Sequence, residues 1–260
     1  MAEPLTLIRV VDTETTGIDD PIEMVEIGWT DIRLFADGWA IESGPHSRLV
    51  RPTIPISFGA MATHHITEAE ASGEISQEEA KALIAGVDFY CAHNITYDAR
   101  LLGSNLPWLC TFKAARTAWP EMQSHSNGAI RYELGLCLDD ERAVPSHRAG
   151  PDTWVTAHIL LRLLETLSVE KIREITGNPV RMLRINFGEH FGKRFNEIPF
   201  SYLDWIVNKS NMASDPKKED VVFSARMELN ERANGKPSQE PVKPQAPDPD
   251  AWRREMGGTF

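Results

Sequence analysis

The sequence predicts an α/β domain from three observations. An early β-branched apolar run is followed by further strand-like segments, a later stretch has the apolar spacing of a helix, and acidic residues stand where strands end and helices begin. The run Leu5-Thr6-Leu7-Ile8-Arg9-Val10-Val11 reads as a strand in the middle of a covered sheet. Side chains alternate along a strand, so Asp12 and Glu14, which follow it in VVDTETTG, share a face. Thr15-Thr16-Gly17 then turns the chain, and Gly17 permits a close approach to the backbone.

Ile22 to Phe35 and Ala40 to Val50 read as the next two strands, joined through Asp37-Gly38 as a hairpin. Phe89-Tyr90-Cys91-Ala92 is a short strand, and a helix from Ile95 to about Gly103 carries Asp98 in its first turns. His93 and Asn94 shape the turn between them. Pro151 fits the first position of another helix, whose stripe is Val155, Ile159, Leu160, Leu163, Leu164 and Leu167. That places Asp152 at the helix start and His147 on the loop before it.

Taken singly, each of these residues has a plain structural reading. Asp12 and Glu14 suit a solvated strand end, Asp98 and Asp152 oppose helix dipoles, and a loop histidine is usually just solvated. The conjunction, in this order along the chain, points further. Two like charges facing one way near a core raise each other's pKa and destabilise the fold unless a cation compensates. Hard divalent cations prefer oxygen ligands, and a pair of them about 3.5–4 Å apart can stabilise both oxygens of a phosphodiester displacement. Free imidazole titrates at about 6.5, which suits His147 to proton transfer and leaves the carboxylates as ligands.

In this set of motifs the chain resembles the DEDD superfamily of 3'-to-5' exonucleases, in the branch that ends in His-x4-Asp and includes proofreading epsilon subunits. The resemblance rests on DTETTG, VEIG (residues 25–28), AMATHHIT (60–67), AHNITYD, HRAGPD and FGEHFGKRFNEIPFSYLDWIV (187–207), and spans about residues 5 to 210. It implies a ribonuclease-H-like three-layer fold with a five-stranded mixed sheet flanked by helices.

The resemblance also implies roles. Asp12, Glu14 and Asp152 hold one Mg2+ or Mn2+ ion, and Asp12 with Asp98 a second. His147 is the general base, and nucleoside 5'-monophosphates are the product. Thr15, Gly17, Ile18, His64 and Asn94 surround the 3'-terminal nucleotide. Read from its residues alone, Ile18 is either an apolar wedge for the last base or a buried loop anchor, and His64 either a substrate contact or an exposed polar residue. The chain departs from the family pattern at Tyr97, where Phe is frequent, at Thr153, where Ala is common, and at Glu189, where FGK carries Lys. The last departure weakens phosphate binding at that turn.

At 260 residues and 42% hydrophobic, the chain accommodates one well-buried domain and an appendage. The expected division is an exonuclease domain over 1–179, a small basic and aromatic module over 180–210, a helix over 211–235 and a Pro-rich disordered tail over 236–260. Within the module, a hairpin at 181–195 precedes a helix at 200–209 whose Tyr202, Trp205 and Ile206 pack inward. Its basic residues also suit contact with a single strand. Asp215 and Pro216 read as the cap and first position of the following helix. The terminal AWRREMGGTF is either a recognition peptide for a protein partner or a frayed end.

Net charge is -11, and residues 1–179 carry 14 Lys/Arg against 26 Asp/Glu, so the acidity belongs to the domain expected to carry the site rather than to the module, with 5 against 3. Bound cations would offset part of it, so only a short strand end need be gripped, and the resemblance makes that a DNA 3' end, preferably single-stranded. Three cysteines without C-x-x-C spacing, no membrane-length apolar run and no secretory start point to a soluble cytoplasmic protein. RNA remains the alternative substrate, since the metal site is blind to the sugar. A polymerase-associated proofreading role is the alternative setting, and a catalytically dead strand-end binder the alternative class.

Overall fold

Strand β1 (Leu7–Thr15) runs through the middle of a five-stranded mixed sheet in the computed structural model, which describes residues 6–235. On one side it pairs antiparallel with β2 (Met24–Phe35), which pairs antiparallel with edge strand β3 (Gly38–Leu49). On the other it pairs parallel with β4 (Phe89–Ala92), which pairs parallel with edge strand β5 (Trp108–Cys110). Between β3 and β4 lie the short helices α1 (Phe58–His64), α2 (Glu68–Ala71) and α3 (Gln77–Leu83). After β4 come α4 (Asp98–Leu102), α5 (Thr111–Ala118), α6 (Asn127–Glu133), α7 (Ala149–Leu164) and α8 (Val169–Thr176).

The described residues divide after Arg181 into two units. In the first, the alternation along β1 decides which layer each residue enters. Ile8 and Val10 are fully buried in a core shared with Ile159, Leu160 and Leu163 of α7, whereas Val11 enters a second core with Ile27, Ala80 and Tyr90. Helices cover both faces, giving the expected three layers. By parity Asp12 and Glu14 belong to the face that α7 covers.

Several boundaries differ from the sequence expectation. β1 continues to Thr15, so Asp12 and Glu14 are paired strand residues, opposite Gly28 and Glu26. β2 starts at Met24 because the Thr16 N–H is taken by Glu23 O, which closes the loop before it. The hairpin turn is Ala36–Asp37, with Gly38, at φ 126°, already paired to Phe35. α4 starts at Asp98, three residues late, after a turn at residues 95–97 that follows Asn94 at left-handed φ 74°. α7 starts two residues before Pro151, with the Ala149 N–H donating to the Glu26 carboxylate at 2.9 Å.

The second unit has its own core of Met182, Ile185, Phe195, Ile198, Leu203, Ile206, Val221, Val222 and Ala225. Where a hairpin was expected, the chain makes a single bridge between Arg184 and Arg194. The glycine-rich turn between them has Gly188 and Gly192 at positive φ and limits the ladder. The helix expected over 200–209 is α9 (Phe200–Asp204) followed by a π-helical turn at Trp205–Lys209. Ile206 packs inward and Tyr202 is half-buried, but Trp205 is 39% exposed, and Phe191 and Phe200 project outward. Pro216–Lys218 forms a 3-10 turn, and the last helix among the described residues, α10 (Glu219–Ala233), starts four residues after Asp215.

Leu5 and the tail expected at 236–260 lie outside the described residues. Cys91 and Cys110 are buried free thiols and Cys137 a half-buried one. No helix among the described residues is long and apolar enough to cross a membrane.

Candidate active site

Asp12 and Glu14 point from the end of β1 toward the first turns of α7, where Asp152 meets them. Oxygens of Asp12, Glu14 and Asp152 all lie within 4.8 Å of one another. Asp98, at the first position of α4, lies outside this trio but exerts the largest charge effect on Asp12. It is 4% exposed, and Thr13 Oγ1 donates to its Oδ1 at 2.9 Å, joining β1 to α4.

His147 lies on the exposed loop before α7. Its backbone N–H donates to Asp152 Oδ2 at 3.0 Å, and its φ is 60°, an uncommon conformation for a residue with a β-carbon. The structure therefore brings three of the five expected residues together directly, ties His147 to them through its backbone, and sets Asp98 beside them.

The electrostatics are those of a crowded acid cluster. Burial, then the charges of Asp98, Asp152, Glu14 and Glu26, raise the Asp12 carboxyl well above its ordinary range. Burial, followed by Asp152 and Glu26, pushes Glu14 up to about 8, against a lowering by Arg148. Burial raises Asp98 to about 7 despite the opposing hydrogen bonds from Thr13 and its own N–H. Asp152 is also raised, by burial first, against the His147 N–H. Such a donor set, all oxygen and short of positive charge, fits a hard divalent cation.

Of the expected substrate residues, Thr15 ends β1, Gly17 and Ile18 follow it, and His64 is hydrogen-bonded to Thr15. Thr15 Oγ1 donates to Gly17 O at 2.7 Å, and Gly17 packs beside Ser57. Ile18 is 73% exposed, which rules out the buried anchor reading. His64, expected to be open to substrate or solvent, is 2% exposed instead. Its Nε2 bonds Thr15 O at 3.2 Å and its Nδ1 accepts from the Ile66 N–H at 3.0 Å. Since a carbonyl only accepts, this fixes the Nε2-protonated neutral tautomer, in keeping with a pKa lowered by burial. Asn94 is half-buried, its left-handed backbone turning β4 toward α4, and Thr96 Oγ1 donates to its Oδ1 at 3.2 Å.

Two residues without an assigned role in the sequence belong to the site. Glu26 is 1% exposed and receives both Nε and Nη2 of Arg148, at 2.9 and 2.8 Å. Both lie inside quoted motifs, VEIG and HRAGPD, but their pairing spans 122 residues and leaves no local signal.

The exonuclease family model RNase_T matches residues 10–160. Exodeoxyribonuclease 10 of Escherichia coli K12 is 35% identical over 215 residues, covering 80% of this chain and 94% of the relative. The protein of the same name from Escherichia coli O6:H1 matches to the same extent. Among solved structures, Exonuclease X in complex with 5' overhanging duplex DNA is similar with a TM-score of 0.57 at 35% identity, covering 65% of this chain and 99% of that one. A full-length 3'-exonuclease, 16% identical with a TM-score of 0.50, covers 63% of this chain and 62% of its own, and shares the fold.

Proposed function

The chain belongs to the RNase_T family of exonucleases, and from that membership we propose that it is a metal-dependent 3'-to-5' exodeoxyribonuclease. It hydrolyses the terminal phosphodiester of a DNA 3' end, preferably single-stranded, and releases nucleoside 5'-monophosphates in DNA repair or turnover. The observation that carries this reading is the convergence of Asp12, Glu14 and Asp152 oxygens within 4.8 Å, beside a loop histidine hydrogen-bonded through its backbone to Asp152. The choice of DNA is supported by the name of the 35% identical relative and by the DNA in the similar complex.

Asp12, Glu14 and Asp152 would hold one Mg2+ or Mn2+ ion, and Asp12 with Asp98 a second. Such ions supply Lewis-acid stabilisation of charge on the attacking and leaving oxygens. The protein's own part begins with His147, exposed and free to accept a proton from the attacking water. Asp152 fixes the His147 backbone. Thr13 keeps Asp98 oriented through the 2.9 Å bond. Ile18, outside the core, contacts the last base, while Thr15, Gly17 and Asn94 shape the adjoining wall and His64 acts through the Thr15 carbonyl it holds.

Matched single-stranded DNA and RNA oligonucleotides, labelled at the 5' end and digested with Mg2+, test the assignment. The expected result is a ladder shortening from the 3' end of DNA, with mononucleotide products and no digestion by Asp12→Ala. Full digestion by Asp12→Ala, or faster digestion of RNA than DNA, rejects it.

A further inference from the structure

Glu26 is a carboxylate that the proposed reaction does not use, yet it is 1% exposed and stands on β2 directly opposite Glu14. A buried, unpaired carboxylate is costly, and Glu26 is fully paired. Arg148 donates through Nε at 2.9 Å and Nη2 at 2.8 Å, a two-pronged geometry that a lysine cannot reproduce. The Ala149 N–H adds a third bond at 2.9 Å, satisfying one of the open donors at the start of α7.

The place of these bonds matters more than their number. Arg148 and Ala149 directly follow His147, whose left-handed φ of 60° persists only where its surroundings hold it. Asp152 takes the His147 N–H from the other end of the same segment. The backbone is also pressed close: a β-carbon on Gly28 would stand 2.3 Å from Ala149 C and 2.6 Å from Gly150 N. Two further Arg–carboxylate pairs of this sheet, Arg9 with Asp31 at 2.7 Å and Arg33 with Glu42 at 2.6 Å, each join two strand residues, none of them flanking His147.

We propose that Glu26 and Arg148 form a positioning pair that sets the His147 imidazole for proton acceptance. The inference deepens the assignment of His147 as base and rests on it. The pair touches neither substrate nor reacting atoms. It acts through the backbone on either side of a single exposed side chain, so its effect belongs to turnover rather than to substrate affinity.

A double-mutant cycle tests this on the full chain. Arg148→Lys, which keeps both charges and loses the fork, and Glu26→Gln are each made alone and combined with His147→Ala. Single-turnover digestion of a single-stranded DNA oligonucleotide is measured at saturating Mg2+, with KM, and Mn2+ binding is followed by calorimetry. Each single variant is expected to slow turnover roughly 10- to 100-fold, the scale of an ångström-sized misplacement, with KM unchanged. In the His147→Ala background neither is expected to slow it further, and Arg148→Lys should bind Mn2+ as the wild type does. Equal fold losses with and without His147, full turnover in both single variants, or weakened Mn2+ binding by Arg148→Lys overturns the positioning role. Full turnover by His147→Ala alone instead overturns the base assignment on which it rests. Arg148→Lys retains a cation beside Glu26, so the cycle stands on it if Glu26→Gln does not fold.

Discussion

Gly28 lies against the carbonyl of Ala149, so close that a β-carbon on it would stand 2.3 Å from the carbonyl carbon and 2.4 Å from the oxygen. The neighbours are backbone atoms of the first turn of α7 and have no flexible side chain to swing away. Since Gly28 pairs with Asp12 across β1 and β2, this contact sets how closely α7 approaches the acid cluster.

Gly28→Ala should therefore displace the first turn of α7 and move Asp152 and His147 with it. We expect a loss of about 1–3 kcal/mol in stability, the usual range for overpacking, together with a marked fall in turnover. Urea denaturation and oligonucleotide digestion check both. An unshifted midpoint with full activity would show that α7 accommodates the methyl group.

His147→Ala should slow digestion by about 10²–10⁴-fold, the range for losing a general base, while binding Mn2+ as tightly as the wild type. Asp12→Ala should lose both digestion and Mn2+ binding. Calorimetric titration beside a digestion assay separates the two, and parallel loss of metal binding in His147→Ala would contradict the division of labour.

The chelated protein should lose stability as pH rises from 6.5 to 8. Glu14, about 8 when folded against an ordinary 4.5, and Asp98, about 7 against 3.8, hold protons in the folded state that the unfolded chain has released. The native state then binds more protons, so unfolding free energy falls with pH. His64, His125, His158 and above all His93 are lowered by burial and oppose this, mainly below pH 6.5. Burial lowers His93 to about 4 from 6.5, so its stabilisation disappears as pH falls through that interval. Melting temperatures at pH 6.5 and 8, with chelator and with Mg2+, provide the check. The pH slope should vanish with Mg2+, and an equal slope with and without it would separate the acid cluster from metal binding.

Thr13→Val removes the 2.9 Å donor from Asp98 while keeping its shape. The expected cost is about 1–3 kcal/mol, with the Asp98 carboxyl displaced further upward and more Mg2+ needed for half-maximal digestion. A Mg2+ activation curve identical to that of the wild type would deny Thr13 a part in orienting Asp98.

Much of the acid cluster is legible along the chain because strand parity alone puts Asp12 and Glu14 on one face. Asp98 and Asp152 are legible only as members of an ordered set, since either suits a helix start without further purpose. Glu26 is not legible at all: in VEIG it reads as one polar residue in an apolar strand, and Arg148 gives it meaning from 122 residues away. The Ala149 N–H bond to the same carboxylate explains the early start of α7, because a cap supplied by a distant strand leaves no local cap signal at Arg148. Strand β5, three residues long, is too short for periodicity to register. Helices α2 and α3, by contrast, carry readable capping boxes at Thr67 with Glu70 and Ser76 with Glu79.

Because Phe35 pairs with Gly38 and Glu26 with Glu14, the tight turn at Ala36–Asp37 occupies the pole of the sheet remote from the acids. Nine residues of β2 separate them, about 30 Å at the ordinary rise per strand residue. Ala36 and Asp37 at its tip are both exposed. That hairpin tip is thus a natural anchorage: a dye or a surface linker grafted there would leave strand ends unobstructed, allowing digestion to be watched on single immobilised molecules.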